Sequence, residues 1–122
     1  MNREPRSLPY NEDAEKGLLC SMILSPDVLL DCAGQLAADL FYAPAHRILF
    51  LALCDLSDNG APVDFITLKH QLVQNEQLAE VGGPDFLNEL FNFLPTAANW
   101  RYYAELVTDY LHPELRSSSA SG

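Results

Sequence analysis

Lysine is nearly missing from this chain. Among 122 residues only Lys16 and Lys69 occur, and neither follows a glycine. A phosphate-binding loop of the GxxxxGK[ST] kind needs that Gly-Lys step, because backbone amides and one ammonium hold the phosphates together. The sequence therefore carries no nucleotide-hydrolysing motor of that type. Cysteine is scarce as well. Cys20, Cys32 and Cys54 are odd in number, widely spaced and form no CxxC, which excludes a disulfide framework and a zinc knuckle. They read as small apolar core residues in a reducing compartment. No apolar run approaches the ~20 residues that span a bilayer. The opening Met1-Asn2-Arg3-Glu4-Pro5-Arg6-Ser7 is too polar for a signal peptide, so the expected location is cytoplasmic, with no membrane contact.

Positive charge is the largest deficit. Seven Lys and Arg face 17 Asp and Glu, a net charge of −10. Such a surface repels phosphate backbones, so direct nucleic-acid binding is not expected. It favours solubility and permits the steering of a basic protein partner.

The apolar fraction, 48%, is that of an ordinary globular domain, and the length suits one domain. Every apolar segment repeats with a helical period and follows a start signal. Asn11 caps a first helix over about 12–24, with Ala14, Leu18, Leu19, Met22 and Ile23 on its face and Glu12, Asp13 and Glu15 in its first turn. Ser25-Pro26 opens a second over about 26–37. Pro44 opens a third, which runs to Asp58 and stops at Gly60. Asp64 caps a fourth over about 65–75, with Phe65 or Ile66, Leu68, Leu72 and Val73 turned inward. Gly82-Gly83 and Pro84 open a fifth, which Pro95 ends; Thr96 caps a sixth over about 97–111. No strand pattern is present. The expected fold is all-α, a compact globule of about six helices over 11–112, between a flexible arm, 1–10, and a disordered Ser-rich tail, 113–122.

Candidate chemistry is thin. His46, His70 and His112 lie on separate elements, and no partner carboxylate is visible near His46. Asp64 reads as a cap and not as a catalytic carboxylate. Ser7, Ser21, Ser25 and Ser57 lie in no GxSxG setting. Gly82-Gly83 reads as a tight turn more readily than as an anion cradle. A small hydrolase built on His46 and Asp64 would lack both a nucleophile and a metal set. No catalytic, cofactor-binding or metal-binding residue is assigned. The aromatic stripe of the last helix is more informative. Trp100, Tyr103, Ala104, Val107 and Leu111 share one face, and Leu106 and Tyr110 widen it to roughly 160°. A helix wedged into the core explains that width, and so does one flank meeting another chain. Trp100, Tyr103, Leu106 and Tyr110 are the candidate partner interface.

Five blocks, in order, resemble one family. They are Leu8–Glu15 leading to Leu18-Leu19; Phe41-Tyr42 with Pro44, His46-Arg47 and Phe50; Val63–Leu68 with Leu72; Val81-Gly82-Gly83 with Phe86-Leu87 and Leu90; and Ala97-Ala98-Asn99 with Tyr103-Ala104 and Val107. Together they resemble the amino-terminal domain of DnaB-type replicative helicases over about residues 8–108. The resemblance implies a non-catalytic helical head of a hexameric, ATP-driven helicase. Such a head organises subunits and takes part in docking DnaG-type primase or a loader. No cofactor is implied for this chain; ATP and Mg belong to a separate carboxy-terminal motor domain. The family continues into a helical hairpin, whereas here Leu111-His112-Pro113 and a Ser-rich stretch follow. That departure leaves a second reading, a free-standing phage or mobile-element protein of the same fold that modulates a host helicase.

Overall fold

Helix starts written into the sequence govern the architecture. A computed structural model describes residues 11–111, with side chains described to Thr108. The expected arm and tail lie outside the described residues, as does the Tyr110 side chain. The helices are α1 (Glu12–Leu24), α2 (Pro26–Gln35), α3 (Pro44–Asp58), α4 (Phe65–Gln74), α5 (Gly83–Phe91) and α6 (Trp100–Leu111), with a short 3-10 turn at Ala38–Leu40. No strand occurs among the described residues.

The start signals act as read. Asn11 Oδ1 accepts the Ala14 amide at 3.0 Å and Ser25 Oγ that of Val28 at 3.3 Å. Asp64 and Thr67 form a reciprocal capping box, with Thr67 N donating to Asp64 Oδ1 at 2.8 Å and Asp64 N to Thr67 Oγ1 at 3.0 Å. Gly60 has φ 69° just past α3, and the Ala61 amide reaches back to the Leu56 carbonyl at 2.9 Å. α4 closes the same way, but with Glu76 in the left-handed position at φ 58° and the Gln77 amide on Leu72 O at 2.8 Å.

α1 is the central helix. It packs on α2, α3, α5 and α6. All residues from Ala14 to Met22 are buried, although only one apolar face is legible in the sequence. Neighbours on every side, not periodicity, decide this. Gly17 permits the closest approach: a Cβ there would lie 3.1 Å from the Tyr103 ring of α6. Leu18, Leu19, Met22, Leu29, Leu49, Leu53, Leu68, Leu72, Leu87 and Leu90 fill the core around it.

Three expected boundaries and one face differ. α2 ends at Gln35, where Leu36 turns extended, and the 3-10 turn delivers Phe41 against Phe50 at 5.3 Å between ring centroids. α5 ends at Phe91, well before Pro95; Asn92 is its C-cap, with its amide shared between Asn88 O at 3.3 Å and Glu89 O at 3.2 Å and its Nδ2 donating to the Asn88 carbonyl at 2.8 Å. Phe93 is thereby released from the helix, so Phe91 meets Phe65 edge-on at 5.8 Å while Phe93 lies under Lys16. α6 starts at Trp100 and not near 97. Thr96 Oγ1 accepts the Ala98 amide at 2.8 Å in a preceding turn instead of capping the helix. In α4 the inward face is Phe65, Leu68 and Leu72; Ile66 is 70% exposed, and the expected inward Val73 is also exposed.

Candidate functional site

The segment Phe41–Arg47 starts α3 without a capping side chain of its own, since Ala43 occupies the N-cap. Glu15, from α1, supplies what is missing. Its Oε2 accepts the Tyr42 amide at 2.6 Å, and its Oε1 lies 3.4 Å from the Ala43 amide and 2.6 Å from His46 Nδ1. An ionised carboxylate can only accept, so a hydrogen bond to it requires the proton on Nδ1. On the other side Arg47 Nε donates to Phe41 O at 2.7 Å and Nη2 to Tyr42 O at 3.0 Å. Amides and carbonyls of one short turn are thus held by two opposite charges. Glu15 is 1% exposed and His46 3%. The expectation that His46 has no partner carboxylate is corrected here. The clue was legible: Glu15 lies three residues before Leu18 and seven before Met22, which puts an acid on the apolar face of α1.

The cluster continues toward α5. The His46 ring stacks on Phe86 with centroids 6.1 Å apart, and the Lys16 ammonium lies 5.7 Å from the Phe86 ring and 4.9 Å from Phe93. Lys16 also pairs with Glu89. Its stem is buried and its charge is spread over two rings and one carboxylate. Glu89 is largely exposed, so that ion pair contributes modestly.

This arrangement fixes backbone. The Glu15–His46 pair is occupied by backbone donors, and no hydroxyl or thiol nucleophile accompanies it in these bonds. Asp64 is engaged in its own capping box, so the structure gives His46 and Asp64 different partners. Among the described residues no group of three His, Cys, Asp or Glu could hold a metal ion. The amides of Gly82 and Gly83 donate inward, to Ala79 O at 3.1 Å and Leu78 O at 2.9 Å, which leaves a tight turn with φ 110° and 79° and no anion cradle. Burial pushes the Cys32 thiol up to about 12, with Asp31 and Cys54 adding to it. Burial likewise raises Cys20 and takes Cys54 to about 11, so these thiols are not poised as nucleophiles.

Surfaces remain. Trp100, Tyr103 and Leu106 of the candidate interface are half-buried and packed against the core, with Tyr103 on Gly17. The Arg101 guanidinium lies 4.8 Å over the Trp100 ring. Leu24, Leu30, Leu51 and Tyr102, which the sequence did not single out, face outward, as do Ile66 and Val73. No helix among the described residues is long and apolar enough to cross a membrane.

Comparison with known proteins points to one family. The family model described as the DnaB-like helicase N terminal domain matches residues 7–109. The replicative DNA helicase DnaB of Geobacillus stearothermophilus is 39% identical over 101 residues, which are 83% of this chain and 22% of that protein. The Mycobacterium leprae DnaB helicase is 36% identical over 104 residues, 85% of this chain and 17% of that one. The chain thus spans about 22% of the length of the first of these helicases. The crystal structure of the N-terminal domain of DnaB helicase from Mycobacterium tuberculosis matches with a TM-score of 0.78 and 36% identity, over 84% of this chain and 71% of that one. A DnaB-like replicative helicase, described together with its interactions with primase, matches with a TM-score of 0.72 and 25% identity, over 91% of this chain and 26% of that one. The blocks that hold Glu15, the Phe41–Arg47 turn and the Asp64 cap all lie within the matched span, and the chain belongs to the DnaB-like helicase N-terminal domain family.

Proposed function

We propose that this chain is the non-catalytic interaction domain of a replicative DNA helicase, where it organises subunits and docks a DnaG-type primase or a loader. The carrying observation is the match of nearly the whole chain to a segment of helicases several times its length. The buried polar cluster supports the same reading, because every charged group in it is spent on holding helices together. In this reading ATP and magnesium are held by a motor domain elsewhere in the parent helicase, inside the cell, and DNA is engaged there too. An acidic head with net charge −10 contributes no nucleic-acid contact of its own. The α6 flank of Trp100, Tyr103, Leu106 and Tyr110 is the proposed face for a neighbouring subunit, since aromatic residues bring apolar area with a polar tip.

The test is calorimetric titration of primase and loader into the parent helicase with and without this domain. Binding at about 10 µM or tighter that disappears with the domain supports the proposal. Equal affinity of the intact and headless helicases for both partners would remove it.

A further inference from the structure

The α1–α2 corner and the link from α3 to α4 enclose an apolar groove of about 290 Å³ that no internal element fills. Ile23, Pro26 and Leu30 form one wall and Ala61, Pro62 and Val63 the other. The walls are held without a partner. Ser25 caps α2 behind Pro26, the Ala61 amide is tied to Leu56 O at 2.9 Å, and Pro62 O accepts Thr67 Oγ1 at 2.8 Å. Leu30 is 61% exposed beside the groove, and Leu24 also stands out to solvent at the same corner.

The segments that form this groove carry charge of one sign. Residues 17–45 and 48–68, which include both walls, contain no lysine, arginine or histidine. Asp27, Asp31 and Asp58 are exposed on the same segments. The carboxyl ends of α1 and α3 both reach this corner, and neither has a basic residue in its last turn. The amino end of α2 meets them at Pro26, so the helix dipoles offset one another and the sign of the corner rests on its carboxylates. An apolar groove on segments whose only charges are acidic selects against phosphate backbones and anionic lipid. It also selects against a second copy laid face to face, which would bring the same acids into contact.

We propose that this groove docks a cationic amphipathic helix of a partner protein, its aliphatic ridge on Leu30, Ala61 and Val63 and its Lys or Arg flanks on Asp27, Asp31 and Asp58. This is helix-in-groove recognition, with the apolar ridge giving affinity and the charged rim giving encounter rate and partner choice. The inference rests on the reading of the chain as an interaction domain, and it adds the surface and the chemistry of what that surface takes.

The test uses the full chain and two synthetic helical peptides, one of Leu and Lys at amphipathic spacing and one with Glu in place of every Lys. Amide shifts in the isotope-labelled chain are followed during titration. The Leu/Lys peptide is expected to bind at about 10–100 µM, to shift amides of 22–31 and 57–63, and to weaken several-fold as salt rises. Leu30→Ser, at an exposed position, should weaken it at least about five-fold. The pair Asp27→Asn and Asp58→Asn should weaken it and flatten the salt dependence. Shifts centred elsewhere, equal binding of the Glu peptide, or variants that bind like the parent chain would overturn the proposal. So would concentration-dependent shifts without peptide that Leu30→Ser abolishes, because the groove would then belong to a second copy. Primase and loader binding by the parent helicase carrying Leu30→Ser separates the levels. Intact binding there, with the peptide failing on the free chain, removes the groove and leaves the interaction-domain reading standing.

Discussion

Glu15 Oε1 lies 2.6 Å from His46 Nδ1, across 31 residues of sequence. The bond joins the central helix to the start of α3, and the other carboxylate oxygen holds the Tyr42 amide at 2.6 Å. A carboxylate brought in from another element does here what an N-cap residue does locally.

Removing that carboxylate should be expensive. Glu15→Ala takes an acceptor from the part-buried Tyr42 and Ala43 amides and the partner from buried His46, with an expected loss of about 3–5 kcal/mol in urea unfolding. Glu15→Gln keeps the shape but turns an amide NH2 toward other donors, so about 2–4 kcal/mol is expected. A double-mutant cycle with His46→Ala should return a coupling above about 1 kcal/mol. Additive losses would mean that the short contact carries no energy of its own.

Gly17→Ala should destabilise even though alanine is the better helix former. The new Cβ would sit 3.1 Å from the Tyr103 ring, which is itself packed on α1. Overpacking costs about 1–3 kcal/mol, against a propensity gain of about 1 kcal/mol. Thermal melts should show a net loss that shrinks when Tyr103→Leu is added. A rise in Tm for Gly17→Ala alone would show that α6 yields freely.

Glu76→Gly should stabilise. Glu76 holds φ 58° at the end of α4, where a side chain is strained and glycine is not. The expected gain is about 1 kcal/mol, read as a higher urea midpoint at unchanged slope. No change would mean that the side chain compensates locally.

The thiols predict a loss of stability in alkali. A raised folded pKa keeps the proton on the native protein. The contribution is therefore intact below the unfolded thiol's value of about 8.5 and is lost as pH rises toward the folded values. Those are about 11 for Cys54 and about 12 for Cys32. Urea midpoints should fall between about pH 9 and 11, and Cys32→Ala should flatten that slope. With a thiol-specific dye at pH 8, half-buried Cys54 should react first, and buried Cys20 and Cys32 only on unfolding. Early labelling of Cys32 would contradict its burial.

Much of the fold was legible because helix starts are short-range devices. Asn11, Ser25 and Asp64 reach amides only three residues on, so the chain announces them locally. Pro44 and Gly60 act through their own backbone angles. The end of α5 was misread because Pro95 is the louder signal, while the cap at Asn92 is made by shared amide bonds and a side-chain bond to Asn88 that composition does not flag. The exposed face of α4 was misread because Ile66 and Val73 are as apolar as Leu68 and Leu72. Only the neighbours decide which of two adjacent stripes turns inward.

The sequence by itself determined the helices, the acidic balance and the absence of a GxxxxGK[ST] loop. Each of these rests on residue identity or on contacts within one turn of chain. Only the tertiary structure decided that Glu15 and Lys16 are buried, that His46 is a structural partner, and that the α1–α2 corner and the α3–α4 link form an apolar groove. A charged side chain can be buried only where donors from distant segments converge on it, and that convergence exists only once the helices have packed.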